Sequence, residues 1–285
     1  MSECPRISVI TPSYNQGEHI EESILSVISQ NYPNLEYIII DGGSTDNSVE
    51  IIKKYEEHLA YWCSKPDKGI YDAMNKGSKR ATGEWLYFLG TDDRMCTNVL
   101  RQIFIENQYH QSVDFLYGNV LLVPSKKLYG KRYSFNDLAK RTICHQAIFV
   151  KKTVLHKVGY FNISYKIAAD YAFVIKCFGK SEFIKYYMDI TVAEYYEGGI
   201  SGSAPADIEF QLAKPYLLKK FLRIEDYKNS FSPIATGERG FMYIIEGNYL
   251  RGFRWVFHAA RRSSRYYYYL KNSLFWLKES LFKGL

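Results

Sequence analysis

The stretch Ile7-Ser8-Val9-Ile10-Thr11, closed by Pro12, decides the architecture, because it is a short apolar run that opens a repeating pattern. It reads as a strand, and proline ends it because proline has no N–H to give a neighbouring strand. Over residues 17–30 the apolar positions Ile20, Ile24, Val27 and Ile28 fall at helical spacing. The unit then repeats: Leu35 to Ile40 has the composition of a buried strand, and Ser48 to His58 that of a helix introduced by Ser44, Thr45 and Asp46, which favour helix starts. Further strands are expected at Ala60 to Ser64 and Glu84 to Leu89, and further helices at Ile70 to Arg80 and Thr97 to Asn107. Alternation at this spacing implies an α/β fold with a mostly parallel central sheet flanked by helices.

Open sheets of this kind collect ligands at the carboxyl ends of their strands, where loops present polar groups from a rigid scaffold. Four polar loops fall there: Thr11 to Asn15, Asp41 to Asp46, Lys65 to Gly69, and Gly90 to Asp93. Beyond residue 112 the pattern is less regular. Strands are expected at Phe115 to Val123, Ala147 to Val150 and Phe183 to Tyr196, a charged turn at Ser125 to Lys127, and helices at 170–179 and Ala206 to Phe221. The expected organisation is a catalytic domain over residues 1–222, with a nucleotide-binding half near 1–110 and an acceptor half near 111–222. A helical extension follows over 223–285.

The composition is that of an ordinary folded protein, with 47% hydrophobic and 24% charged residues, which excludes wholesale disorder. Aromatic residues make up 16%, a share that suits carbohydrate or interface contact and equally suits core packing. The formal charge of +7 is unevenly placed: residues 1–213 carry 23 Lys+Arg against 25 Asp+Glu, and residues 214–285 carry 14 against 5. From residue 240 onward cations and rings interleave, through Arg251, Phe253, Arg254, Trp255, Arg261, Arg262, Arg265 and Tyr266 to Tyr269. Two readings stay open: a helix lying on an anionic membrane surface, or a helical pair packed on the main domain. No nucleic-acid-binding module accompanies the charge, so no nucleic-acid partner is expected. Five dispersed cysteines without a C-x-x-C pair suggest a reducing compartment, and neither an apolar leader nor a long apolar run appears. The expected location is cytoplasmic, with any membrane contact peripheral on the inner face.

The sequence lacks G-x-G-x-x-G after the first strand and lacks a P-loop, so a phosphate needs another holder. Asp92 and Asp93 follow an apolar strand, where adjacent carboxylates offer oxygen ligands to Mg²⁺ or Mn²⁺ and leave positions open for phosphate. Alone, Thr91-Asp92-Asp93 is also an ordinary turn.

The motifs Ser8-Val-Ile-Thr-Pro-Ser-Tyr-Asn15, Ile39-Ile-Asp-Gly-Gly-Ser-Thr-Asp46, Pro66-Asp-Lys-Gly-Ile-Tyr-Asp-Ala-Met-Asn-Lys-Gly77 and Ala81-Thr-Gly-Glu-Trp-Leu-Tyr-Phe-Leu-Gly-Thr-Asp-Asp93, in this order, closely resemble family 2 glycosyltransferases. The resemblance covers residues 6 to about 200. It implies an A-type nucleotide-diphospho-sugar transferase fold and a transfer that inverts the anomeric carbon.

By the same resemblance Pro12 and Tyr14 lie at the nucleobase, Asp41 accepts from the base's imino N–H, and Asp92 lies near the ribose. Asp93 is the principal ligand of a divalent metal. Asp67 and Lys68, and less directly Lys76, meet the donor's phosphate or sugar. His145, with Gln146, lines the donor-sugar or acceptor pocket. Asp170 takes the place of the general base, and Gly198 to Ser203 that of a loop beside the diphosphate. The chain departs from the fuller pattern at Thr91, where a D-x-D motif would begin with a carboxylate, and at Ala169, where some relatives carry Glu before the base.

The expected activity is transfer of a hexose or N-acetylhexosamine from a nucleoside-diphosphate sugar, UDP-linked, to a glycan acceptor on a lipid carrier in cell-surface polysaccharide synthesis. A sugar-phosphate nucleotidyltransferase would share the fold but carry a glycine-rich basic loop where Thr11 to Asn15 stands. A non-catalytic nucleotide-sugar-binding protein would keep the donor loops and have no use for a base at Asp170.

Overall fold

A computed structural model describes residues 4–109, 111–199, 207–224 and 254. The chain divides into two compact units, Met1–Asp207 and Ile208–Leu285. In the first, three strand-helix repeats run β1 (Ile7–Ser13), α1 (Ile20–Ile28), β2 (Leu35–Asp41), α2 (Ser48–Lys54), β3 (Tyr61–Ser64) and α3 (Ile70–Arg80), and end in β4 (Trp85–Phe88). The second part of the unit holds β5 (Arg94–Met95), α4 (Val99–Arg101, continued as a π-helical turn over Gln102–Glu106), β6 (Phe115–Val123), β7 (Leu128–Tyr129) and α5 (Phe135–Lys140). It finishes with β8 (Ile148–Lys151), α6 (Lys152–Val158), α7 (Ala169–Gly179) and β9 (Lys185–Tyr196). The second unit contributes α8 (Ile208–Leu222), and residues 240–285 lie outside the described residues except for Arg254.

One sheet carries the first unit, in the order β3-β2-β1-β4-β8-β6-β9-β5, with β7 paired to β6. The strands β3, β2, β1 and β4 are parallel, as their helical crossovers require. The direction then changes: β8 is antiparallel to β4, and β6 to β8, while β9 returns parallel to β6 and the short β5 antiparallel to β9. The charged turn at Ser125 to Lys127 is the tip of the β6–β7 hairpin.

Each crossover helix buries one stripe. Ile20, Ser23, Ile24 and Val27 are the buried positions of α1, and α3 turns Ala73, Met74, Gly77 and Ser78 inward. Gly77 lets α3 approach β1 closely, since a Cβ there would stand 2.4 Å from Ile10 Cγ2. Much of the aromatic content packs between sheet and helices: Trp85 meets Phe104 at 5.6 Å, Phe104 meets Phe149 at 5.4 Å, and Phe149 stacks on Tyr87 at 4.5 Å between centroids.

A buried carboxylate fastens the opposite, amino-terminal end of the parallel strands. Glu36 on β2 accepts from the Ser8 hydroxyl, from the Thr82 hydroxyl and amide at 2.7 Å each, and from Arg6 at 3.3 Å. The β1, β2 and β4 ends are thereby tied by charge-assisted bonds away from solvent.

Candidate functional site

The carboxyl ends of β1, β2 and β4 open into one cavity of about 920 Å³. Its first wall is Pro12, Ser13 and Tyr14, and Tyr14 is 60% exposed at the rim, a free ring face for a flat ligand. The loop after β1 is locked to the loop after β2. Asn15 N donates to Ser44 Oγ (2.8 Å), Gln16 N to Ser48 Oγ (2.9 Å), Gly17 N to Asp46 Oδ2 (2.9 Å), and Asn15 Oδ1 accepts from Thr45 N (2.8 Å). Asn15 takes a left-handed φ of 50°, which asparagine tolerates better than most residues.

Asp41 stands differently from its expected place in the lining. It is fully buried beneath Gly42 and Gly43, and its carboxylate accepts from Gly43 N (3.1 Å), Ser44 N (2.9 Å), Ser44 Oγ (2.5 Å) and Ser64 Oγ (2.6 Å). Three donors crowd Oδ2 and Ser44 Oγ takes Oδ1, so Asp41 shapes the loop from below while Gly42 and Gly43 face the cavity.

Asp67 lines the cavity and accepts from Gly69 N at 2.8 Å, fixing the entry to α3. Lys68 and Lys76 do not line it. Lys68 is exposed, and Lys76 pairs with Asp72 at 3.1 Å one turn away on α3, the solvated arrangement of an i,i+4 pair.

Asp92 and Asp93 both line the cavity but differ in surroundings. Asp92 is partly exposed, whereas Asp93 is buried, taking Gln146 Nε2 on Oδ2 (2.5 Å) and Tyr196 N on Oδ1 (3.0 Å). Burial, and then the charge of Asp92, push the Asp93 carboxyl up to about 6 against the pull of those two donors. Each oxygen keeps a free lone pair. Gly90 leaves room alongside, because a Cβ there would stand 2.5 Å from Asp93 Oδ2 and 2.9 Å from Asp92 Oδ1 and press on both carboxylates.

His145 lines the cavity beside this pair, and Asp170 is in contact with its ring, the two side chains being 16% and 13% exposed. The ring Nδ1 is 3.3 Å from Asp170 Oδ2, while Asp170 Oδ1 accepts from the Tyr71 hydroxyl and the Tyr171 amide, each at 2.8 Å. Burial works against a charged His145, but the hydrogen bond and charge of Asp170, with Asp93 and Asp92, raise its pKa overall. The fourth side is the end of β9, Tyr195 and Tyr196, with Gly198 and Gly199; residues 200–206 of the expected glycine-rich loop lie outside the described residues.

The family model for glycosyl transferase family 2 matches residues 8–162. A PGL/p-HBAD biosynthesis glycosyltransferase of Mycobacterium bovis is 32% identical over 225 residues, which is 77% of this chain and 88% of the relative. The chain belongs to glycosyl transferase family 2. An uncharacterized glycosyltransferase of Mycobacterium tuberculosis is 34% identical over 62% of this transferase and 70% of its own length. Among solved structures, S. aureus TarS 1–349 in complex with UDP-GlcNAc superposes with a TM-score of 0.64 at 19% identity, covering 87% of the transferase and 89% of TarS 1–349. The mannosyltransferase PcManGT from Pyrobaculum calidifontis, in complex with GDP-Man and Mn²⁺, gives a TM-score of 0.56 at 19% identity over 96% and 80% of the two chains. These likenesses establish the A-type glycosyltransferase fold.

The transferase's sequence motifs left out His19, Tyr195 and Tyr196, which also line the cavity; the His19 and Tyr196 rings lie 5.8 Å apart. No local pattern announces Tyr196, because its partner Asp93 is 103 residues away. Among the described residues no cluster of three or more His, Cys, Asp and Glu side chains forms a complete metal cage. Asp92 and Asp93 alone nonetheless suit a hard cation that takes one or two carboxylates and completes its shell with substrate phosphates. No described helix is long and apolar enough to cross a membrane.

Proposed function

We propose that this family 2 glycosyltransferase moves a hexose or N-acetylhexosamine from a UDP-sugar to a glycan acceptor carried on lipid, inverting the anomeric carbon. The observation that carries the reading is the convergence of the β1, β2 and β4 loops and His145 on one cavity of about 920 Å³, the size of a pocket that encloses a ligand of cofactor size. Tyr14 and Pro12 offer the base an apolar face, Gly42 and Gly43 let its edge approach backbone, and Asp41 stiffens that loop. Asp67 and Asp92 lie toward the ribose and sugar. Asp93, with Asp92, would hold a divalent cation, Mn²⁺ or Mg²⁺, which when bound neutralises charge on the departing diphosphate. Asp170 would act as the general base, with His145 Nδ1 3.3 Å from its carboxylate.

The UDP-GlcNAc complex of TarS and the GDP-Man and Mn²⁺ complex of PcManGT support a nucleotide-sugar donor with a metal. The lipid-carried acceptor draws on the basic, aromatic segment beyond residue 240, which suits a cytoplasmic enzyme working at the inner membrane surface.

The test is a thermal-shift screen of UDP-, GDP- and dTDP-sugars with and without Mn²⁺. A ligand that binds only the folded state raises the melting temperature. UDP-sugars are expected to do so, and more strongly with metal; no metal-dependent shift with any of the three would overturn the reading.

A further inference from the structure

We propose that residues 125–141, the β6–β7 turn with β7 and α5, form a docking surface for the phosphate headgroups of an anionic membrane and set the cavity rim against the lipid. The inference rests on the lipid-carried acceptor of the reading above and adds a contact within the first unit.

Charge is segregated along the first 213 residues. They carry 23 Lys+Arg against 25 Asp+Glu, and six of those cations but only one of those acids, Asp137, are in 125–141, so 17 against 24 remain elsewhere. The six are Lys126, Lys127, Lys131, Arg132, Lys140 and Arg141, and all but the partly buried Lys131 are exposed. Asp137 is engaged inside the segment: it pairs with Lys131 and caps α5, accepting from Ser134 N (2.9 Å) and Ser134 Oγ (2.6 Å). Glu197 stands beside the tip and accepts from Ser125 N at 3.1 Å. Among the described residues, Lys131 is the one cation of the six in an ion pair. The other five face water on an otherwise acidic unit, and such a surface attracts a polyanion.

Apolar side chains decide which polyanion. Leu128 is 59% exposed and Phe135 47%, two of the four strongly exposed Leu, Ile and Phe side chains among the described residues. Leu128 directly follows Lys126 and Lys127, and Phe135 is three residues past Arg132. Nucleic acid offers phosphates but no apolar phase to receive a leucine. A bilayer offers both, with cations at the headgroups and apolar side chains just beneath them.

The surface is fastened to itself and to the cavity. The Tyr129 hydroxyl donates to Thr142 O (2.8 Å), which ties β7 to the exit of α5, and Tyr133 N donates to the Tyr117 hydroxyl (3.2 Å) on β6. At the entry, Val123 is in register with Tyr196, and Glu197 N donates to Val123 O at 2.9 Å. Tyr196 and Gly198 line the cavity there, and so does His145, three residues past Thr142. Both ends of the segment therefore lead to the rim. Headgroup contact at this place brings a hydroxyl carried at the membrane surface to the cavity mouth, which is the positioning that transfer to it requires.

The experiment uses the full chain, as wild type, as the triple variant Lys126→Gln, Lys127→Gln, Arg132→Gln, and as Leu128→Ser. Each is sedimented with vesicles of equal parts phosphatidylcholine and phosphatidylglycerol, and with phosphatidylcholine alone. Each cation removed is expected to lower the partition constant about fivefold, the equivalent of about 1 kcal/mol, and the three together about 100-fold. Leu128→Ser is expected to lower it about tenfold through lost apolar burial. Raising the salt is expected to shrink the deficit of the triple variant and leave that of Leu128→Ser. An unchanged melting temperature and donor shift in both variants show that they are folded.

Hydrogen exchange locates the contact in the wild type. The amides of 125–136 are expected to slow with the anionic vesicles and not with phosphatidylcholine alone. The proposal is overturned by a wild type that stays in the supernatant, by variants retained as well as the wild type, or by unchanged exchange across 125–141. It is equally overturned if the triple variant loses binding to a duplex oligonucleotide, or loses self-association, while its vesicle retention holds. If no UDP-, GDP- or dTDP-sugar shifts the wild type, the transfer reading fails; if donors shift it and the variants are retained normally, only the docking surface fails.

Discussion

At Asp93, the metal ligand of the proposed function, a proton and a cation would compete for one carboxylate. Burial and the Asp92 charge hold its pKa up at about 6, so below that pH the group is increasingly protonated and offers a cation less. Mn²⁺ affinity, read by the metal-dependent part of the donor thermal shift, is expected to fall as pH drops through about 6 and to level off above it; a shift constant from pH 5 to 8 would exclude Asp93 as the ligand. Gly90→Ala is expected to weaken metal-dependent donor binding by about 10–100-fold, of the order seen when the support of a metal ligand is disturbed, because its Cβ would press on both carboxylates. Near-wild-type binding in that variant would show that the two side chains can move aside. Asp92 and Asp93 are legible in the sequence because residue type and place at a strand end suffice to mark them. Asp41 and Asp170 are not fully legible: each is an aspartate in a family motif, but whether it faces a ligand depends on Ser64, Tyr71 and His145, brought to it from 23, 99 and 25 residues away.

Among the elements, the parallel half was open to reading because each crossover helix carries its own apolar stripe, as Ile20, Ile24 and Val27 do on α1. The reversed strands β6 and β8 were located but not oriented. A buried strand's composition is the same in either direction, so its partner and sense come from the chain's path and not its side chains. The far end of the parallel strands depends on Glu36. Burial pushes its pKa up, but hydrogen bonds from Ser8 and Thr82 and the Arg6 charge more than offset this and leave it below the ordinary 4.5. A carboxyl lowered in the fold stabilises it at pH values above its unfolded pKa, and that stability is lost as pH falls through the folded one. Glu36→Gln is therefore expected to lower stability by about 1–3 kcal/mol near neutrality, with urea midpoints of variant and wild type converging as pH falls through the lowered folded-state value. Parallel midpoints at every pH would contradict the charge's role.

For the whole molecule, catalytic and basic portions are expected to separate functionally. Exchanging Arg261, Arg262 and Arg265 for glutamate in the full chain is expected to leave the donor thermal shift in place. The same change is expected to abolish retention on vesicles of anionic lipid, where each cation near the surface contributes about 1 kcal/mol. Equal retention of both proteins, or retention insensitive to salt, would remove the membrane from the account. Within the first unit, the hydrogen bond from Tyr196 N to Asp93 Oδ1 joins the last residue of β9 to the loop after β4. Its consequence is thermodynamic reciprocity. Whatever keeps Asp93 ionised strengthens its grip on the β9 terminus, and whatever draws that terminus away weakens Asp93 as an anion by the same free energy. If the proposed cation is held at Asp93, donor loading and the setting of the β9 end would be a single equilibrium observed from two sides.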